Sequence, residues 1–276
     1  MIKSVDFPNR TFTTKDELFS ELKANENNLI DIKKSQIKTG REKGQLCFGL
    51  LDVKKATVKG VSFEIKDDYI YPIISTTKFF DSHGDVHLDN SMKKTAKEQN
   101  GNVIYALDHE IKYDNVLAWK KDVRMFIAEV DWSEVGKTFK GKTQALVFEI
   151  HKDKIRNKQV LSDIVNKVED FENSIRMIYY KMNLGMNSDN PEFKENKKYY
   201  DDNINSIINK EDAEANGYFW GIEELGIHKE GSLVVAGGSN SATSILQKEI
   251  EAVEDASSIE TKAEPLKDTL NIYSFN

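Results

Sequence analysis

The apolar and polar positions divide the chain into an N-terminal helical segment, a long section of strands and a polar C-terminal tail. Near the start, Thr14 and Glu17 have the spacing of a capping box, in which two side chains accept hydrogen bonds from free backbone N–H groups. The apolar residues that follow at helical spacing are Leu18, Phe19, Leu22, Leu29 and Ile30. We predict a helical arm over residues 1–45, with a helix that ends before Thr39. The arm either packs on the main domain or docks a scaffold protein.

The section from residue 46 to residue 150 contains short runs of β-branched and aromatic residues, separated by clusters of Gly, Asp, Asn and Lys. This pattern is typical of strands and turns. The predicted strands are residues 61–65, 69–75, 103–106, 116–119, 125–130 and 144–150. Short strands at this spacing favour an antiparallel barrel or sandwich over a parallel sheet.

A single apolar stripe predicts a helix over residues 161–171, and a strand follows at 174–181. Side chains alternate along a strand, so Ser174 and Arg176 are expected on one face. The polar, Asn-rich stretch 183–216 is interpreted as an insertion between two strands, with a helical pattern in its second half.

Closing strands are predicted at 218–222 and 232–236. The residues that follow are acidic and lose periodicity, which predicts a disordered tail over 246–276. The chain is therefore expected to consist of the arm, a central domain over 46–245 and this tail.

Composition excludes several classes of function. The formal net charge of the 276 residues is -7, which disfavours nucleic acid as the main partner because phosphate binding requires a basic surface. No apolar run long enough for a membrane helix and no signal peptide is present. The single cysteine, Cys47, fits a reducing compartment. The chain has no phosphate-binding loop, no G-x-G-x-x-G and no H-E-x-x-H, so no cofactor is expected.

Two of the five histidines, His83 and His87, lie in the segment DSHGDVH. Imidazole and carboxylate groups are common metal ligands, so a metal site there is conceivable. Asp, Gly and Asn are also the residues that form turns, which favours a turn. We therefore predict no metal site.

His109 follows an apolar strand, and Ser174 opens another strand directly after an amphipathic helix. A serine needs a neighbouring base to become a nucleophile, and none is adjacent to Ser174 in the sequence. Neither residue indicates catalysis by itself.

Three blocks of sequence are informative because of the order in which they occur along the chain. The first is IISTTKFFDSHGDVHLDNSM at residues 73–92, and the second is VIYALDHEIKYDNVLAW at 103–119. The third is split between ENSIRMIYYKM and EGSLVVAGGSNSAT, which begins at Glu230. Together the blocks resemble the prohead (capsid maturation) proteases of tailed bacteriophages, whose fold is similar to that of the herpesvirus assembly proteases. The resemblance spans residues 60–245.

The chain departs from that family in three places. The family often has Gly before the serine and Gly-Phe after Ser-Ile, whereas this chain has Asn173 and Arg176-Met177. The stretch at 183–216 is also longer than the family pattern implies.

The resemblance implies an α+β fold that is mainly β, with an antiparallel barrel-like core and flanking helices. It implies a serine endopeptidase that cleaves phage scaffold protein, segments of the major capsid protein and itself, without a cofactor. Such an enzyme acts in the cytoplasm of the bacterial host, inside the assembling prohead, and self-association is a further expectation. Nucleic acid and membranes are not expected partners. The alternative is an inactive protease-fold protein that acts in scaffold or capsid assembly.

The resemblance also places the catalytic groups. The nucleophile falls on Ser174, the general base on His109 and the third member on Glu230, with His228 as the alternative. A developing oxyanion needs preorganised donors. The candidates are Arg176 and the backbone N–H groups of Gly237 and Gly238.

Overall fold

The computed structural model describes residues 1–36, 56–58, 61–235 and 243–246. This part of the chain is mixed α+β and mainly β. The strands are β1 (Ile2–Lys3), β2 (Thr11–Phe12), β3 (Ala56–Val58), β4 (Val61–Phe63), β5 (Tyr69–Thr76), β6 (Asp85–His87), β7 (Ile104–Leu107), β8 (Val116–Ala118), β9 (Arg124–Asp131), β10 (Lys142–His151), β11 (Glu172–Met186), β12 (Tyr218–Val234) and β13 (Ser244–Leu246). The six described α-helices are α1 (Lys15–Ala24), α2 (Glu26–Ser35), α3 (Lys93–Glu98), α4 (Lys158–Asn166), α5 (Lys194–Ile204) and α6 (Lys210–Asn216).

The N-terminal arm contains two helices instead of the one continuous helix expected, and the break lies at Asn25. One half of the predicted capping box is confirmed, since Thr14 Oγ1 accepts a hydrogen bond from the Glu17 N–H at 3.2 Å. In the other half, Glu17 Oε2 accepts from the Thr13 N–H at 2.7 Å instead of from Thr14. Lys33 of α2 is buried and forms ion pairs with Asp85 at 2.8 Å and Asp6 at 3.3 Å. The arm therefore packs on the main body through both its apolar face and a buried charge cluster.

One large sheet is antiparallel, with the strand order β13-β5-β10-β9-β3-β4. The other has the order β11-β12-β7-β8, and β6 also pairs with β12. Both β6 and β7 run parallel to β12, so the expectation of purely antiparallel pairing is wrong for this sheet. The described strands do not close into a barrel, and the expected barrel-like core is instead formed between two separate sheets.

The two sheets share one apolar core. Ile74 and Phe148 of the first sheet contact the second sheet at Gly231 of β12. A Cβ atom on Gly231 would lie 2.9 Å from Phe148 Cε2 and 3.1 Å from Ile74 Cγ2. Glycine thus permits the sheets to approach closely beside Glu230, whose side chain points to the opposite face of the strand.

The C-terminal half differs from expectation in three elements. The predicted helix over 161–171 ends at Asn166, and a short 3-10 helix follows. The insertion at 183–216 is folded, because β11 continues to Met186 and Tyr200 and Ala213 of α5 and α6 are buried. The two predicted closing strands are one strand, because residues 224–227 and Gly231 between them also pair with β11.

The acidic tail from residue 247 onward lies outside the described residues, so its predicted disorder stays a prediction. Within the described ranges, no helix has both the length and the apolar character needed to span a membrane.

Candidate active site

His109 lies in a tight turn immediately after β7. Asp108 and His109 have φ angles of 50° and 59°, and the Glu110 N–H donates to Leu107 O at 2.9 Å. Positive φ at both central residues is characteristic of a type I′ turn, in which Gly, Asn and Asp predominate. The Asp108 N–H donates to Leu233 O of β12 at 3.0 Å, which ties the turn to the centre of the sheet.

The imidazole of His109 is paired with a buried carboxylate. His109 Nδ1 lies 2.8 Å from Glu230 Oε1, and the two side chains are 8% and 0% exposed. A carboxylate only accepts hydrogen bonds, so this contact favours the tautomer with the proton on Nδ1. In the neutral ring, Nε2 is then the basic nitrogen, which is the tautomer that a general base requires.

Ser174 lies one strand away from this pair. It is directly opposite Ser232 in the antiparallel register of β11 and β12, so the two side chains share a face of the sheet. Ser174 Oγ and His109 Nε2 are both buried and have no hydrogen-bond partner among the described residues. They therefore form no hydrogen bond with each other, and both reactive atoms are left unpaired.

Glu230, and not its alternative His228, contacts His109. His228 is half-buried and forms no hydrogen bond with His109 in the described part of the chain. Lys229 between them has a φ of 72°, which interrupts the regular alternation of the strand. The contact to Glu230 is therefore the one expected of a catalytic third member.

Ser232 is a residue that the sequence reasoning missed. Its hydroxyl donates to Glu230 Oε2 at 2.5 Å and accepts from the His109 N–H at 3.2 Å. Its place two residues after Glu230, on the same face of a strand, was the signal that could have identified it.

Arg176, an expected oxyanion donor, is engaged with His109. Its Nη2 donates to His109 O at 2.8 Å, and its Nε lies 3.5 Å from Glu230 Oε1. These two contacts direct the guanidinium toward the histidine turn. The other oxyanion candidates, Gly237 and Gly238, lie outside the described residues.

Asn173, which replaces the glycine of the family pattern, has a structural contact. It is fully buried, and its Oδ1 accepts a hydrogen bond from Tyr105 OH at 2.8 Å. Burial raises the pKa of Tyr105 well above its usual value, so this hydroxyl remains a donor. The pair joins β11 to β7 on the face of the sheet opposite Ser174.

The segment DSHGDVH begins with the predicted turn and continues as strand β6. Asp81 Oδ1 accepts hydrogen bonds from the N–H groups of His83 at 2.8 Å and Asp85 at 2.9 Å, and Gly84 has a φ of 74°. His87 is buried and contacts Ser75 Oγ. The described residues contain no group of three or more His, Cys, Asp or Glu side chains arranged to hold a metal ion.

A groove that the sequence reasoning did not anticipate lies beside the site. It has a volume of about 460 Å³ and is lined by Ile104, Ile111, Trp119, Lys120, Lys121 and Lys229. Ile104 is the register partner of Glu230. Since paired residues share a face of a sheet, the groove opens on the same face as the histidine. Its lining combines three apolar side chains with three lysines.

Comparison of the chain with protein-family models, with curated proteins and with solved structures finds no significant match. The site is therefore characterised by its own geometry.

Proposed function

We propose that this chain is a serine endopeptidase of the kind that matures the proheads of tailed phages, with a fold like that of the herpesvirus assembly proteases. The observation that supports the proposal most is the arrangement around His109. Its Nδ1 is held by a buried carboxylate, while its unpaired Nε2 lies on the sheet face that also presents the unpaired hydroxyl of Ser174. A nucleophile, a base and a group that orients the base are the parts of a catalytic triad.

In the proposed reaction, Ser174 Oγ attacks the scissile carbonyl carbon while His109 Nε2 takes the hydroxyl proton. The proton then passes to the leaving amine, the peptide C–N bond breaks and an acyl-enzyme ester remains. Water, deprotonated by His109, hydrolyses the ester and regenerates the serine. Glu230 keeps the ring in the required tautomer and stabilises the imidazolium that forms in each step.

The two reactive atoms must approach before the first proton transfer. Hydrogen bonds of this kind are often long in unliganded enzymes and tighten when substrate binds. A serine side chain has three staggered positions, so rotation about χ1 can redirect the hydroxyl without a change of the backbone.

The proposed substrates are the scaffold protein, segments of the major capsid protein and the protease itself, inside a prohead in the bacterial cytoplasm. Flexible, exposed segments are the preferred sites of proteolysis. The acidic sequence of residues 247–276 makes this segment our candidate for self-cleavage.

An inactive protease-fold protein that assists scaffold or capsid assembly is the second candidate. The observation in its favour is the missing hydrogen bond between Ser174 Oγ and His109 Nε2. The departures at Asn173 and Arg176 favour it as well.

The deciding experiment compares the wild type, Ser174→Ala and Ser91→Ala by intact mass, each expressed alone and with scaffold protein. Ser91 is a matched control because its hydroxyl is also buried without a hydrogen-bond partner in the described region. We expect truncation in the wild type and in Ser91→Ala only, and labelling of Ser174 by a fluorophosphonate. Full-length chains in all three cases, together with no labelling, would overturn the protease and favour the assembly protein.

A further inference from the structure

His109 lies in a turn whose two central residues are both left-handed. Asp108 and His109 have φ angles of 50° and 59°. Few residues other than glycine adopt this region, although Asp and His do so more often than most. Left-handed residues at functional sites are held by the structure around them, so the contacts of this turn decide where the His109 ring lies.

Besides the bonds from Asp108 N–H to Leu233 O and from Arg176 to His109 O, the turn is held through one hydroxyl. Ser232 Oγ accepts a hydrogen bond from the His109 N–H at 3.2 Å and donates one to Glu230 Oε2 at 2.5 Å. The other oxygen of Glu230, Oε1, is hydrogen-bonded to His109 Nδ1. These three hydrogen bonds form a closed ring. In it, Ser232 links the main chain of His109 to the carboxylate of Glu230, which orients the imidazole of His109.

Ser232 differs from Ser174 in the engagement of its hydroxyl. Both serines are fully buried and lie opposite each other, and Ser232 also pairs with Ala106 of β7. A serine hydroxyl has one proton to donate, and that proton is already directed at Glu230. Ser174 Oγ has no such engagement among the described residues.

We propose that Ser232 is a positioning residue, whose hydroxyl helps to hold the turn of His109 and the rotamer of Glu230 and so sets the tautomer of the catalytic histidine. The proposal rests on the proposed protease function for its kinetic consequences. Its structural consequence, the state of the His109 ring, can be measured without catalysis.

The test compares Ser232→Ala, Ser232→Cys and Ser232→Thr. Cysteine preserves the size of the side chain but is a weak hydrogen-bonding group, whereas threonine keeps the hydroxyl. In an otherwise wild-type chain, we expect alanine and cysteine to lower kcat about 10- to 100-fold with little change in KM, because small misplacements of a catalytic group are costly. Threonine should restore most of kcat. Thermal denaturation of each variant verifies that it is folded.

The second readout uses nitrogen NMR of the His109 ring in the Ser174→Ala background. We expect the Nδ1-protonated tautomer in the parent and in the threonine variant, and a mixture of tautomers in the alanine and cysteine variants. A ring signal that is unchanged in all variants overturns the positioning role. If the wild type cleaves nothing, the protease proposal fails, while this measurement still decides the role of Ser232.

Discussion

Arg176 donates a hydrogen bond from Nη2 to the main-chain oxygen of His109, over a distance of 2.8 Å. The guanidinium also approaches Glu230, with Nε 3.5 Å from Oε1. Arg176 thus contacts both members of the buried pair from the neighbouring strand. Because the guanidinium is directed at His109 and Glu230, we expect Arg176 to position this pair and not to act as an oxyanion donor.

Replacement of Arg176 by alanine should therefore lower kcat by about tenfold, less than the 100- to 1,000-fold loss that removal of an oxyanion donor causes. Steady-state kinetics on a peptide substrate measures the difference. Arg176→Lys is the matched variant, since lysine keeps the charge but cannot reproduce the planar fork. A loss of kcat of a hundredfold or more in Arg176→Ala would instead support Arg176 as an oxyanion donor.

Glu230→Gln should lower kcat about 100- to 10,000-fold while the protein remains folded, because an amide can donate to Nδ1 and so favour the wrong tautomer. The corresponding control is His228→Ala, which we expect to retain wild-type kinetics since His228 makes no hydrogen bond to His109 in the described structure. Equal losses in the two variants would contradict the assignment of Glu230 as the third member.

Lys33→Met should destabilise the folded chain by about 3–5 kcal/mol, the usual cost of removing one partner from a buried ion pair. Burial lowers the pKa of Lys33, but Asp85 and Asp6 outweigh it, and the net shift is upward. A raised folded pKa means that the stabilisation is fully present below the unfolded value of about 10.4 and is lost as pH rises through the folded pKa.

Urea denaturation at neutral pH measures this loss. The control is Lys140→Met, an exposed lysine whose replacement should change stability by less than about 0.5 kcal/mol. Similar midpoints for the two variants would mean that the buried cluster does not anchor the arm.

Trp119→Ala should raise KM more than it lowers kcat, because Trp119 lines the groove and its ring packs on Tyr113 and Arg156. An exposed apolar residue of the arm, Ile32, supplies the comparison. Ile32→Ala is expected to leave both constants unchanged. If Trp119→Ala leaves KM at the wild-type value, the groove does not bind substrate.

Several elements of this protein are predictable from local sequence. The helix cap of Thr14, the strands β5, β9 and β10 and the turn at Gly84 all depend on residues adjacent in the chain. The physical reason is that capping, alternation and turn formation are decided over a few residues. The same local reasoning failed for β12, whose polar middle section is strand only because β11 pairs with it.

The sequence did not decide which side chains of the distant strands meet at the site. The sequence by itself determined that a histidine follows one strand and a serine opens another, and the family resemblance supplied Glu230 and His228 as competing partners. Only the tertiary structure decided that Glu230 meets His109, that Ser232 joins them and that Arg176 faces the same turn. These contacts join β7, β11 and β12, which are far apart in the chain, so they depend on strand register. A shift of one residue in that register would turn every one of these side chains to the opposite face.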